Sequence, residues 1–202
     1  MTPNPAVHTD AARYSRVAPV TSTLVCPMPR TFSTVRELIY WEYAKLISEK
    51  AVGDRMNYKF TNFTFRRFVE GKAAPSSILT ENQQLFALGD VCAYCGAAGK
   101  LHWEHIIPIA LGGPDSIDNM VRACAPCNLE KGARDPYQWY LGKNSDSIPR
   151  LVLGKFLKVA FEEYAIRELL DSTEFMKSHA VERVNLSSIF RMQNVYVKKS
   201  AV

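Results

Sequence analysis

Apolar residues recur every three or four positions along residues 33–50. This period places them on one side of an amphipathic helix, which we predict over that range. Ser33 or Thr34 can cap its start, and Gly53 lies just past its end. The face predicted to meet the core consists of Val35, Leu38, Ile39, Tyr43, Leu46 and Ile47.

Other stretches give weaker patterns. Residues 76–88 predict a short helix that ends at Gly89, with Ser76 or Ser77 as its cap. Residues 150–178 predict a mainly helical segment, and Gly154 weakens its start. The tail 180–202 alternates in a way more typical of strand or coil. The predicted core positions of 150–178 are Leu153, Phe156, Leu157, Ala160, Tyr164, Leu169 and Leu170.

Residues 57–70 interleave aromatic and basic side chains. Such a mixture can stack nucleobases and bind phosphate. It is also typical of an aromatic-rich core element with charged edges, and we favour that interpretation. The residues are Tyr58, Lys59, Phe60, Phe63, Phe65, Arg66, Arg67 and Phe68.

Composition limits the classes of protein that the chain can represent. Of 202 residues 47% are hydrophobic and 22% charged, as in a globular protein with a real core. No run of about 18 apolar residues predicts a membrane span. The first ten residues lack the basic start and apolar stretch of a signal peptide, so we expect a cytoplasmic protein. A net charge of +5 permits a polyanionic partner without requiring one.

Four of the five cysteines form two Cys-x2-Cys pairs. Each pair places two sulfurs on one tight turn, and two pairs supply the four thiolates that suit structural zinc. A closed four-cysteine site has no open coordination position, so we expect this zinc to hold the fold. The fifth cysteine, Cys26, is interpreted as an incidental thiol. The predicted zinc ligands are Cys92, Cys95, Cys124 and Cys127.

Between the two pairs lies a segment with acidic, imidazole and amide side chains. Glu104 and His105 are adjacent, so in a strand they point to opposite faces, and a bend or bulge would have to bring them to one site. Gly112-Gly113-Pro114 predicts a turn, and Asn128 follows the second pair at the expected start of a helix. Hairpin plus helix is a ββα unit. Trp103 is interpreted as a packing residue, and Asp115 and Asp118 as residues that shape the turn.

The order of these motifs resembles the zinc-containing HNH endonucleases, which have a ββα-metal (His-Me finger) fold. The resemblance rests on Cys-x2-Cys-Gly, Glu-His-Ile-Ile-Pro, Gly-Gly, Asn119, Cys-x2-Cys-Asn and Lys-Gly, and covers about a quarter of the chain. Family members commonly have Asp where this chain has Glu104. The resemblance implies an α+β fold with a zinc-stapled module and mainly helical flanks.

The resemblance also implies a role for each polar residue. His105 would be the general base that activates water for in-line attack on a phosphodiester. Glu104 and Asn128 would hold one divalent ion, Mg²⁺ or Mn²⁺. Asn119 would orient His105 or tie the loop that contains it. We expect Lys131, Arg122 and Arg134 to contact phosphate, although solvated surface charge explains them equally well.

These expectations divide the chain into an arm (1–30), an N-terminal flank (31–87), a nuclease module (88–135) and a helical C-terminal flank (136–202). The predicted function is a DNA endonuclease, with RNA not excluded as substrate, in restriction, phage defence or a mobile element. We expect no membrane partner, and a homodimer would suit cutting of both strands. The alternative is a zinc-stabilised nucleic-acid-binding module without catalysis, but such a binder has no need of His105, Asn119 and Asn128 together.

Overall fold

The computed structural model describes residues 30–192, so residues 1–29 of the predicted arm, with Cys26, and the last ten residues lie outside the described part. The described chain is mostly helical with one two-stranded antiparallel sheet. This confirms the predicted α+β fold class with mainly helical flanks. The helices and strands are α1 (Val35–Val52), α2 (Tyr58–Val69), α3 (Ile78–Ala87), β1 (Leu101–His105), β2 (Met120–Cys124), α4 (Ala125–Lys131), α5 (Pro136–Trp139), α6 (Arg150–Ile166) and α7 (Thr173–Ser178).

Helix α1 forms where the apolar period predicts it, shifted by two residues. The side chain of Thr34 accepts a hydrogen bond from the Glu37 amide at 3.2 Å, which satisfies a free N–H of the first turn. The helix ends at Gly53, whose φ of 72° is the left-handed conformation that glycine adopts without strain. Its predicted inner face is buried, except that Ile47 is only half-buried.

Helix α2 contains the interleaved aromatic and basic residues. Phe65 and Phe68 are buried, and α2 packs against α1. Phe63 is 60% exposed, with the Arg67 guanidinium 5.8 Å from its ring centroid. The segment is therefore an amphipathic helix with buried aromatic residues, which agrees with the core interpretation.

Helix α6 runs through the middle of the core and buries two lysines. Lys158 donates to the Tyr43 hydroxyl at 2.9 Å and to the fully buried Glu81 at 2.8 Å. Burial raises the pKa of Tyr43 to about 12. A Cβ at position 154 would lie 3.1 Å from the Glu81 carboxyl group, closer than an ordinary van der Waals contact. The glycine that weakens the sequence pattern thus makes room for a buried carboxylate.

The hairpin and the helix that follows it form the predicted ββα unit. Strand β1 pairs with β2 in unbroken register from Leu101 opposite Cys124 to His105 opposite Met120. Helix α4 starts at Ala125, directly after β2 and three residues before the expected start at Asn128. The second cysteine pair therefore spans the junction of strand and helix.

The tail differs from its prediction where the structure describes it. Arg183–Arg191 is a 3-10 helix, not strand or coil. The hydroxyl of Ser187 donates to the buried Asp135 carboxylate at 2.5 Å, and Leu186 and Ile189 are fully buried. Among the helices of residues 30–192, none is both long enough and apolar enough to span a membrane.

Candidate functional site

The four predicted zinc ligands meet at one point. Cys92 and Cys95 lie on the turn before β1, Cys124 ends β2, and Cys127 lies in the first turn of α4. All four sulfurs lie within 4.8 Å of one another, and the Cys95 and Cys124 sulfurs are 3.8 Å apart. Tetrahedral zinc with bonds of about 2.3 Å requires sulfurs about 3.8 Å apart. The cluster therefore fits a four-thiolate zinc ion.

Local backbone favours the thiolate at one of these ligands. Burial raises the pKa of the Cys92 thiol, but hydrogen bonds from the backbone amides of Cys124, Cys95 and Tyr94 outweigh it and bring the pKa to about 7. Zinc binds the thiolate and not the thiol. At Cys92 the backbone amides therefore favour the form of the side chain that zinc binds.

The hairpin directs Glu104 and His105 to opposite faces. The register is regular through both residues, so no bulge re-aims either side chain. Glu104 is 5% exposed and shares its face with the fully buried Val121 and Ala123. The His105 side chain, on the other face, is 28% exposed. The bend that a joint site for these two residues would require is absent from β1.

On the inner face, Glu104 is held by two buried partners. The Lys131 ammonium donates to its Oε1 at 2.5 Å, and the Tyr94 hydroxyl donates to its Oε2 at 2.6 Å. Lys131 also donates to the His105 carbonyl oxygen at 2.9 Å. We call Glu104, Lys131 and Tyr94 the buried triad. It joins the zinc turn, β1 and α4 in one hydrogen-bonded network.

Burial shapes the ionisation of the triad. It lowers the pKa of Lys131, while the Glu104 charge opposes that shift. Burial and the same carboxylate raise the pKa of Tyr94 well above its usual range. The Lys131 side chain has no exposed surface, so the structure does not support its predicted phosphate contact. Its ammonium is the counterion of Glu104 instead.

On the outer face, His105 has an acidic partner. Its Nε2 lies 3.0 Å from Oδ1 of Asp115, whose side chain is 77% exposed. The sequence interpretation favoured a turn-shaping role for Asp115 over a direct metal role. The contact places an imidazole and a carboxylate together at an accessible surface beside the hairpin turn.

Asn119 ties the loop that follows His105. Its amide oxygen accepts from the Ile107 N–H at 2.9 Å, and its amide nitrogen donates to the carbonyls of Ile107 at 2.8 Å and Pro114 at 2.9 Å. Asn119 is fully buried. Of its two expected roles, these bonds correspond to tying the loop, since they all go to backbone atoms.

Residues 92–134 match the family model of the HNH endonuclease. The matched segment runs from the first zinc cysteine to Arg134 and covers about a fifth of the chain. It confirms the resemblance inferred from the motif order. Searches of curated proteins and of solved structures found no match to the chain.

The remaining predicted residues of the HNH segment have different surroundings. Asn128 is half-buried on α4. Arg122 donates to Asp90 at 2.8 Å on the outer face of the hairpin. Arg134 is exposed, but it donates to the carbonyl of Lys131 at 3.1 Å and to that of Glu130, and so caps the end of α4. Of the three predicted phosphate contacts, Arg122 is the one whose side chain lies beside His105 on the hairpin.

Sequence reasoning missed the residue that anchors the HNH loop to the helical flanks. Lys155 of α6 is fully buried and donates to the Ile117 carbonyl at 2.7 Å and to the Asn82 amide oxygen at 2.6 Å. Asn82 of α3 in turn donates to Asp118 at 2.6 Å. Burial lowers the pKa of Lys155 to about 8. A lysine among apolar helix positions gives no local signal of this contact.

Proposed function

We propose that the chain is a metal-dependent HNH endonuclease that hydrolyses DNA phosphodiester bonds, with His105 as general base. The observation that supports this most strongly is the position of His105, which is accessible on the outer hairpin face of a zinc-stapled ββα unit. Imidazole is the most common general base in enzymes because its protonation changes near neutral pH.

The Asp115 contact supports a particular tautomer of His105. A carboxylate accepts a hydrogen bond, so Nε2 bears the proton and Nδ1 presents its lone pair. In this proposal Nδ1 takes a proton from the attacking water, and Asp115 is a positioning residue. In-line attack with departure of the 3′ oxygen gives 5′-phosphate and 3′-hydroxyl ends.

A divalent ion, Mg²⁺ or Mn²⁺, would stabilise charge on the phosphate and on the leaving oxygen. Asn128 offers an amide oxygen of the type that such ions accept. Glu104 does not fit the ligand role as it lies, because its side chain is only 5% exposed and the Lys131 ammonium already balances its charge. An ion at this carboxylate would lie beside the Lys131 ammonium and be repelled by it, so no step is assigned to Glu104.

The proposed setting follows from the same chemistry. An enzyme with one site per chain cuts both strands of a duplex most simply as a homodimer. Restriction, phage defence and mobile elements are settings in which small HNH enzymes act. The net charge of +5 suits a polyanionic substrate.

The test is cleavage of supercoiled plasmid with Mg²⁺ or Mn²⁺ by the native chain, His105→Ala and His102→Ala. His102 is an exposed histidine on the same strand whose side chain points to the opposite face, so it is a matched control. Loss of a general base should slow cleavage about 100-fold or more. We expect that loss in His105→Ala alone. Equal activity of native protein and His105→Ala would refute the base assignment.

The alternative function is a zinc-stabilised nucleic-acid-binding module without catalysis. One observation favours it, namely that Lys131 already neutralises the carboxylate expected to bind the catalytic ion. Binding of DNA without cleavage under either metal, by a protein with full zinc content, would support this alternative over the enzyme.

A further inference from the structure

The outer face of the hairpin presents a large aromatic side chain beside His105. Trp103 is 51% exposed, whereas Trp139 is only 4% exposed. Trp103 and His105 are two residues apart on β1, so they share a face. The sequence interpretation of Trp103 as a packing residue does not agree with this exposure.

A cation lies directly across the strand pair from this ring. Arg122 is the register partner of Trp103, and its guanidinium carbon lies 6.0 Å from the ring centroid. The guanidinium also donates to Asp90, whose side chain is 82% exposed. An ion pair this exposed contributes little stability and is readily exchanged. A phosphate could therefore take the place of Asp90 without loss of a buried interaction.

We propose that Trp103 and Arg122 form a stacking platform for an unpaired nucleobase of the substrate, with Arg122 on an adjacent phosphate. Aromatic rings stack bases of any sequence, and arginine adds charge attraction. In a duplex the bases are already stacked on one another, so the platform selects single-stranded or locally unpaired nucleic acid. This inference rests on the proposed function, since it deepens the substrate class of the same site.

The distance along β1 between Trp103 and His105 relates the platform to the scissile phosphate. Positions two residues apart on a strand are separated by roughly 6.8 Å. That is about twice the 3.4 Å rise per nucleotide of one stacked strand. The base on Trp103 therefore belongs to a nucleotide within about two positions of the phosphate that faces His105.

The test measures binding without cleavage. All variants are made in the His105→Ala background without added Mg²⁺ or Mn²⁺, and without chelator, so that the zinc site stays loaded. Fluorescence anisotropy gives the Kd for a labelled single-stranded DNA and for its blunt duplex. The variants are Trp103→Ala, Trp103→Phe, Arg122→Gln and Phe63→Ala. Phe63 is the matched control, because it is similarly exposed and has an arginine, Arg67, at a similar distance.

We expect Trp103→Ala to weaken single-strand binding by about 5- to 140-fold, which corresponds to the roughly 1–3 kcal/mol of one base stack. Trp103→Phe should stay within about threefold of the parent, and Phe63→Ala should bind as the parent does. Arg122→Gln should reduce the salt slope of log Kd by about one phosphate contact. Equal losses on single strand and duplex, or equal losses in Phe63→Ala, would overturn the platform.

The outcomes separate this inference from the proposed function. If the native chain cleaves plasmid but Trp103→Ala binds single strands normally, the nuclease stands and the platform is wrong. If single-strand binding depends on Trp103 but neither metal supports cleavage, the platform is supported and the protein is a nucleic-acid-binding module without catalysis. Binding of neither nucleic acid by the parent would refute the platform and would favour a protein partner for this face.

Discussion

Replacement of Lys131 by methionine should destabilise the protein strongly, because it leaves Glu104 as a buried charge without a counterion. The Lys131 side chain is 0% exposed and that of Glu104 only 5%. Removal of one partner from a buried ion pair costs about 3–5 kcal/mol. That is a large part of the roughly 5–15 kcal/mol that holds a typical domain folded. Loss of the bond to the His105 carbonyl adds to the effect.

The free energy of unfolding is measured by urea denaturation of the zinc-loaded protein. Lys143→Met is the matched control, because Lys143 also pairs with a glutamate, Glu130, but at the surface. Surface pairs contribute about 0–1 kcal/mol, so this variant should unfold almost as the native chain does.

A double variant tests the cause of the loss. Glu104→Gln with Lys131→Met removes both charges and retains an oxygen that can accept from Tyr94. It should recover more than half of the stability that Lys131→Met loses. If the single variant loses less than about 1 kcal/mol, or the double variant is the less stable of the two, the buried-charge argument is refuted.

Two further predictions concern metal and pH. Cys127→Ser should lose zinc and most of its cooperative thermal transition, because the free energy of metal binding at a structural site contributes to folding. Zinc content and thermal unfolding followed by circular dichroism measure the two losses. A stable variant that still holds zinc would contradict the prediction. Burial lowers the pKa of Lys155 in the folded chain to about 8 from the 10.5 that is usual for lysine, so the unfolded chain binds more protons between these values and stability should rise as pH increases through them. Lys155→Met should reduce that rise in urea midpoint between pH 8 and 10, and the part due to Lys131 and Lys158 should remain, because burial lowers their pKa as well. An identical rise in both proteins would show that Lys155 does not contribute.

Local patterns were enough to predict α1, α3, α6 and the metal ligands. The bounds of α1 follow from a 3.6-residue period, a threonine cap and a terminal glycine, all of which act within one segment. The zinc site follows from spacing, because each Cys-x2-Cys turn orients its own two sulfurs. Strand alternation also predicted that Glu104 and His105 point to opposite faces.

The sequence did not show which face of β1 packs against the core. Alternation does not say whether Glu104 or His105 faces the core, and that depends on where α4 packs. Once Glu104 lies inside, Lys131 must be buried as its counterion and Trp103 must lie outside. Both residues were misread for this one reason. The prediction for the tail was wrong for a different reason: Ser187 bonds to Asp135, 52 positions earlier, and no local pattern shows that contact.

The close approach at Gly112 has a consequence for how the chain is synthesised. A Cβ at Gly112 would lie only 2.4 Å from the Phe190 carbonyl oxygen, so the segment near residue 190 presses directly on the turn within the HNH segment. During translation the turn leaves the ribosome before the segment near residue 190 has been synthesised. At about 5–20 residues per second, the 78 intervening residues take several seconds. The turn at Gly112 is therefore synthesised several seconds before the residues near Phe190 that pack against it.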